Sequence, residues 1–266
     1  MDAGWLALSG LLGVYLLGIQ ARAEGPQGAK KMNQPVLNCF LHLPGTGGST
    51  FTHNLTQALG KERVYHVSGD NSLEVFLALP EGEKGRIIFI CGHIPYGIHR
   101  LVKRPVNYFT VLRDPVKRLL SDYAYIRNTP EHHLYPAVNS MDLRQYLLSG
   151  VNPVGVANPQ VVGLQEMDLG GQGGWFRVRP AIPDEQMLDT ARKRVFENMH
   201  MVGLTEYLPQ FMGMVGSYLG VKLDLKAHLN TSRPMPDGAD LPKANIELIK
   251  EMNRLDLTLY DELIKA

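Results

Sequence analysis

The hydrophobic pattern changes period between Val36 and Leu59. Val36, Leu37, Phe40, Leu41 and Leu43 form an apolar run suited to a buried strand, and Phe51, Leu55, Ala58 and Leu59 then recur at the spacing of one helix face. Arg86 to Cys91 predicts a second buried strand ending at Gly92-His93, and Tyr108 to Leu112 a third that runs into Arg113-Asp114-Pro115. There Asp114 can cap the next helix and Pro115 suits its first turn. Val116, Leu119, Leu120, Tyr123 and Ile126 mark one apolar face of that helix, with Ser121 on another. Asp184 to Asn198 reads as helix, Met201 to Leu204 as a short strand, Glu206 to Leu219 as helix, and the end of the chain from about Asp240 to Lys265 as helix again.

Strands alternating with helices predict an α/β fold of P-loop-like, three-layer form, with a mostly parallel central sheet covered by helices. Residues Asn128 to Pro183 are rich in Pro, Gly and Asn, with a helical stretch near Leu143 to Leu148 and glycines from Gly170 to Gly174. That segment is expected to face a substrate or to move. In parallel sheets ligands bind beyond the C-terminal ends of the strands. The turn after the first strand, His93 and Arg113 all follow strands there, so the pattern sends them to one crevice.

The turn is Gly45-Thr46-Gly47-Gly48-Ser49-Thr50. At a helix N-terminus, unpaired backbone N–H groups and the positive end of the helix dipole favour an anion, glycines admit its oxygens, and Ser49 and Thr50 add hydroxyls. It lacks the Gly-Lys-Ser/Thr ending of nucleotidase P-loops, which argues against ordinary ATP or GTP hydrolysis and against a nucleotide kinase. A plain helix-start turn is the alternative reading of these residues alone.

The 266 residues, 44% hydrophobic, suffice for one core, placed at residues 35–266, and a net charge of +1 gives no general drive toward nucleic acid. Cys39 and Cys91 lie in strand-like runs and read as buried thiols, and no metal site is predicted. Ala3 to Ile19 is apolar and uncharged and is followed by Ala21-Arg22-Ala23, so residues 1–23 read as a secretory signal or a short membrane anchor and residues 24–34 as a linker. Asn54-Leu55-Thr56 and Asn230-Thr231-Ser232 match the glycosylation acceptor pattern, but Asn54 falls on the helix behind the turn, where no sugar is expected.

The chain resembles the carbohydrate sulfotransferases that use 3′-phosphoadenosine 5′-phosphosulfate (PAPS), especially the heparan sulfate 6-O and 2-O types. LHLPGTGGSTF looks like their 5′-phosphosulfate loop and YFTVLRDPVKRLLSDY, from Tyr108 to Tyr123, like their 3′-phosphate segment. VGLTEY, LNTSRP and the final MNRLDLTLYDELIK are similar to the closing region of the 6-O enzymes, and together the blocks cover somewhat over half of the chain. The resemblance implies that Gly45, Thr46, Gly47, Gly48, Ser49 and Thr50 hold the 5′ end of PAPS, Arg113 and Ser121 its 3′-phosphate, and that Asn230, Ser232 and Arg233 close over the nucleotide. It implies His93 as the base that deprotonates the acceptor hydroxyl, with His42, inside the first strand, read as structural. It also implies passage through the secretory pathway and the Golgi.

Arg100, Lys103 and Arg104, and Arg177 with Arg179 beside Trp175 and Phe176, suit an acidic or sulfated oligosaccharide acceptor, although each cluster also reads as a solvated charged face. At Gly45 the loop departs from the family pattern, which has lysine before Thr-Gly-Gly. Three readings follow: an enzyme in which Arg100, Lys103 or Arg104 supplies the missing charge, a relative that binds nucleotide or glycan with little or no turnover, and a sequence that carries a substitution at this position.

Overall fold

The structure is a computed structural model that describes residues 35–68, 72–166, 180–226 and 241–266. The expected signal or anchor, the linker, and Arg177, Ser232 and Arg233 lie outside the described residues. Five strands, β1 (Leu37–Leu41), β2 (Val64–Val67), β3 (Phe89–Gly92), β4 (Val106–Leu112) and β5 (Met201–Leu204), form one sheet in the order β2-β3-β1-β4-β5. Every pairing is parallel.

The β3-to-β4 crossover carries only a 3₁₀ turn, Ile98–Arg100; the other crossovers, and the chain after β5, are built of α-helices. These helices are α1 (Gly48–Leu59), α2 (Leu73–Ala78), α3 (Glu81–Arg86), α4 (Pro115–Arg127), α5 (Tyr135–Val138), α6 (Leu143–Leu148), α7 (Pro153–Val156), α8 (Pro159–Gly163), α9 (Asp184–Lys193), α10 (Leu208–Leu219), α11 (Lys243–Met252) and α12 (Arg254–Lys265). Among the described residues no helix is long and apolar enough to cross a membrane.

Alternation along the strands divides the core into layers. Leu37, Cys39 and Leu41 of β1 pack on one face with residues of α8, α9 and α12, while Phe40 points to the other with Phe51 and Leu55 of α1 and Phe211 and Val215 of α10. Phe40, Phe51, Phe89, Phe109 and Phe211 are fully buried, each contributing roughly 1.5–3 kcal/mol of apolar burial. The two thiols face the interior on neighbouring strands, and burial pushes both pKa values up. Asn54 is also buried, its Nδ2 donating to Thr50 O at 2.9 Å and its Oδ1 accepting from Asp224 N at 3.1 Å, which leaves no room for a glycan.

Two features depart from the sequence pattern. β2 was not predicted, because this edge strand has only Val64 fully buried and carries no clear period. The stretch expected to be mobile or substrate-facing is, over its described part, built into the fold. All five residues of α8 are buried, and Asn158, held at φ 53°, is fixed by bonds to Asn253 N-terminal to α12 and to Leu255 within it.

Candidate functional site

β3, β1 and β4 are neighbours, and the segments leaving their C-terminal ends carry His93, the glycine turn and Arg113. β1 is the strand at which the order reverses, the place where open parallel sheets form a ligand crevice. The three sequence-predicted elements therefore meet along one edge.

The turn is shaped by backbone that only glycine adopts at little cost. Gly45 and Gly47 have φ 78° and 87°, and Gly47 is the left-handed N-cap of α1, with no side chain closing the helix terminus. Gly48 is required for a different reason: a Cβ there would stand 2.1 Å from Cδ2 of His42. Thr46 is buried and its Oγ1 donates to Leu43 O at 2.8 Å, so its hydroxyl shapes the turn from within. Ser49 is exposed and Thr50 buried.

Arg113 is half-buried just beyond β4, and its Nη1 donates to Gly45 O at 2.9 Å. One guanidinium thus touches the turn while belonging to the neighbouring strand. Burial lowers its pKa and Glu206 acts in the opposite direction, yet arginine remains a cation at any working pH. Ser121 is half-buried on α4, roughly 10 Å along the axis from the Asp114 cap.

His93 reaches solvent beside the turn, with its ring stacked on that of His42 at a centroid separation of 4.8 Å. Its Nδ1 lies 2.9 Å from His42 O. A carbonyl only accepts, so Nδ1 carries the proton and the neutral ring has its lone pair on Nε2. Surrounding protein atoms lower the His93 pKa, the bond to His42 O works against that, and His66 and Asp122 contribute smaller opposing effects. His42, deeper in the structure, is lowered to about 3 by desolvation, with His93 and His66 adding to the effect. Both imidazoles are therefore neutral at neutral pH.

The basic residues proposed to contact an acceptor part company. Arg104 is buried, and its Nη2 donates at 2.7 Å to Ile87 O, just before β3, at the end of the sheet opposite the crevice. Lys103 shares with it a cavity of about 130 Å³ lined also by Glu81 and Lys84. The crossover from β3 to β4 must return to the start of the sheet, and these two residues lie at its far end. They are not brought to the glycine turn and do not replace a charge at Gly45. Arg100, nearer the start of the crossover, is exposed and ion-paired with Glu166. The arginines that flank Gly45 are Arg113 and fully buried Arg118, whose Cγ would lie 3.2 Å from a Cβ at that position.

Several supporting residues escaped the sequence reading. Thr205 Oγ1 lies 2.9 Å from Thr46 O and 3.2 Å from Leu112 O, joining the turn to the end of β4. Gln160 binds the main chain of Arg113, and buried Asp256 accepts from the N–H groups of Gln160 and Val161 at 3.0 and 2.8 Å. Burial raises the Asp256 pKa to about 6 against those two bonds. Asp256 left a signal, a carboxylate on the apolar stripe of Leu255, Leu259, Tyr260 and Leu263, and Thr205 stands within the VGLTEY block, whereas Gln160 left none.

In sequence, the chain is 27% identical over 179 residues to heparan-sulfate 6-O-sulfotransferase 1-B of Danio rerio, covering 59% of this chain and 43% of that protein. It is 26% identical over 263 residues to heparan-sulfate 6-O-sulfotransferase 1-A of the same organism, covering 84% of this chain and 62% of the relative. The chain resembles sulfotransferases. It spans less than two thirds of the length of these two curated relatives. Among solved structures, mouse sulfotransferase SULT7A1 complexed with PAP matches with a TM-score of 0.36 and 11% identity, over 83% of this chain and 63% of that one. No protein-family model matches the chain.

Proposed function

We propose that the protein is a sulfotransferase that moves a sulfuryl group from PAPS to a hydroxyl of a carbohydrate acceptor of glycosaminoglycan type. The observation that carries this reading is the 2.9 Å bond between Arg113 and Gly45 O, which places an arginine from β4 against the glycine turn after β1, with His93 following the adjacent β3. A nucleotide phosphorylated at both ends needs two anion sites. The α1 N-terminus with Gly47, Gly48, Ser49 and Thr50 suits the 5′ side, and Arg113 with Ser121 suits the 3′-phosphate. The similarity to the Danio rerio 6-O-sulfotransferases supports the same donor and an acidic glycan acceptor.

In this reading His93 Nε2 takes the proton of the acceptor hydroxyl as its oxygen attacks sulfur. The new O–S bond forms while the bond from sulfur to the 5′-phosphate oxygen breaks, and adenosine 3′,5′-bisphosphate leaves with that electron pair. The Nδ1 bond to His42 O fixes the tautomer needed for this step. Ser232, Arg233 and Arg177 complete the proposal as nucleotide- and acceptor-contacting residues, with Arg100 available to the acceptor once released from Glu166. The apolar run at Ala3 to Ile19 supports a place in the secretory pathway.

A second reading, binding without turnover, is favoured by one observation: Gly45 holds a left-handed conformation against Arg118, where a longer side chain does not fit without rearrangement. Calorimetric titration with adenosine 3′,5′-bisphosphate tests the part common to both. Binding that falls sharply in Arg113→Ala is expected, and absence of binding to the folded protein would remove both nucleotide readings.

A further inference from the structure

Arg113 lies one residue past the end of β4, where the last pairings are Thr110 with Leu41 and Leu112 with Leu204. Its main chain has run out of strand partners. One side chain takes their place: Gln160 Oε1 accepts from Arg113 N at 2.9 Å and Gln160 Nε2 donates to Arg113 O at 2.9 Å. Gln160 is buried, and a half-buried backbone left without those two bonds would carry a desolvation penalty.

Gln160 is itself held from below. The backbone N–H groups of Gln160 and Val161 donate to the two oxygens of Asp256, which is 1% exposed on α12. Around this pair, Asn253 Oδ1 accepts from Asn158 N at 3.2 Å and Asn158 Oδ1 from Leu255 N at 2.9 Å. The start of α8 is thereby fixed to α12, and Gln160 leaves it toward Arg113.

We propose that Gln160, seated on Asp256, is a positioning residue for the anion site of Arg113. It sets the backbone from which the Arg113 side chain departs, and so the direction in which the guanidinium presents its donors while Nη1 holds Gly45 O. The inference rests on the reading of Arg113 as the 3′-phosphate ligand. It assigns to the C-terminal helix, more than ninety positions away in sequence, a part in selecting nucleotides that carry a 3′-phosphate. A role limited to stability would weaken all nucleotides alike.

The test compares two ligands on the same protein, adenosine 3′,5′-bisphosphate and adenosine 5′-phosphate, by calorimetry on the wild type and Gln160→Met. Met fills a similar buried volume but offers neither bond. The bisphosphate is expected to bind about tenfold more weakly to Gln160→Met while the monophosphate stays within about twofold of its wild-type affinity. Gln160→Leu likewise offers neither bond and adds no charge, and it carries the same comparison if the Met variant does not fold. Equal weakening of both ligands, or no weakening of either, in a folded variant would overturn the positioning role. A wild type that binds neither nucleotide would overturn the reading of Arg113 itself, and the inference with it.

Discussion

The imidazoles of His42 and His93 are stacked 4.8 Å apart, and Nδ1 of His93 bonds the carbonyl of His42 at 2.9 Å. The sequence points to His93 as a base and to His42 as structural. The geometry gives that structural part a content, with His42 as the platform that orients the ring and fixes the tautomer of His93.

If His93 is the base, His93→Ala should lower kcat by roughly 10²–10⁴-fold while donor affinity stays near the wild-type value. The neutral ring is the active form, and desolvation holds its pKa below 6.5. The acid limb of the kcat/KM profile should therefore have its midpoint below 6.5 and should disappear in His93→Ala. A wild-type midpoint above that value would argue against the assignment.

His42 makes a separate prediction about stability. Its folded pKa of about 3 lies below its ordinary 6.5, so between these values the unfolded chain binds more protons than the folded one. The stability that His42 contributes is fully present above the higher value and is lost as pH falls toward the lower. Urea unfolding at about pH 7 and about pH 5 should show a loss in the wild type that is smaller by roughly 2 kcal/mol in His42→Asn. An identical loss in both proteins would mean that His42 is not held neutral.

Gly48→Ala places a methyl group in the His42 ring. The ring must move or the first turn of α1 must shift, and either change disturbs the turn and the His42–His93 stack together. Stability should fall by about 1–3 kcal/mol, and nucleotide binding should fall with it. Denaturant melts and calorimetry on the purified variant check both.

Arg104→Ala should act on stability alone. The side chain is buried and bonded to Ile87 O at the end of the sheet remote from the crevice, so removing it should destabilise the fold by about 1–3 kcal/mol. The salt dependence of acceptor binding should be unchanged. A shallower salt dependence in the variant would place Arg104 at the acceptor after all.

Periodicity made the central part of the fold legible. β1, β3 and β4 are largely apolar and almost wholly buried and lead into turn residues, so the strands and the convergence of the glycine turn, His93 and Arg113 could be read from the chain. The resemblance to sulfotransferases supplied the chemistry, because Arg113 without it is one arginine beside Asp114. What stayed hidden depends on distant partners. Gln160 sits in a short Pro-initiated helix with no period, and its meaning comes from Arg113 and Asp256, far away in sequence. The cluster of Arg100, Lys103 and Arg104 looked continuous, but the crossover separates its members, tying Arg100 to Glu166 and carrying Arg104 to the opposite end of the sheet.

The central claim is tested most directly by transfer of labelled sulfuryl from PAPS to heparan-type chains by the purified protein. The account predicts label in the glycan with the wild type, and none above background with His93→Ala at equal donor occupancy. Wild-type protein that binds the donor and transfers no label to any glycan acceptor would contradict it.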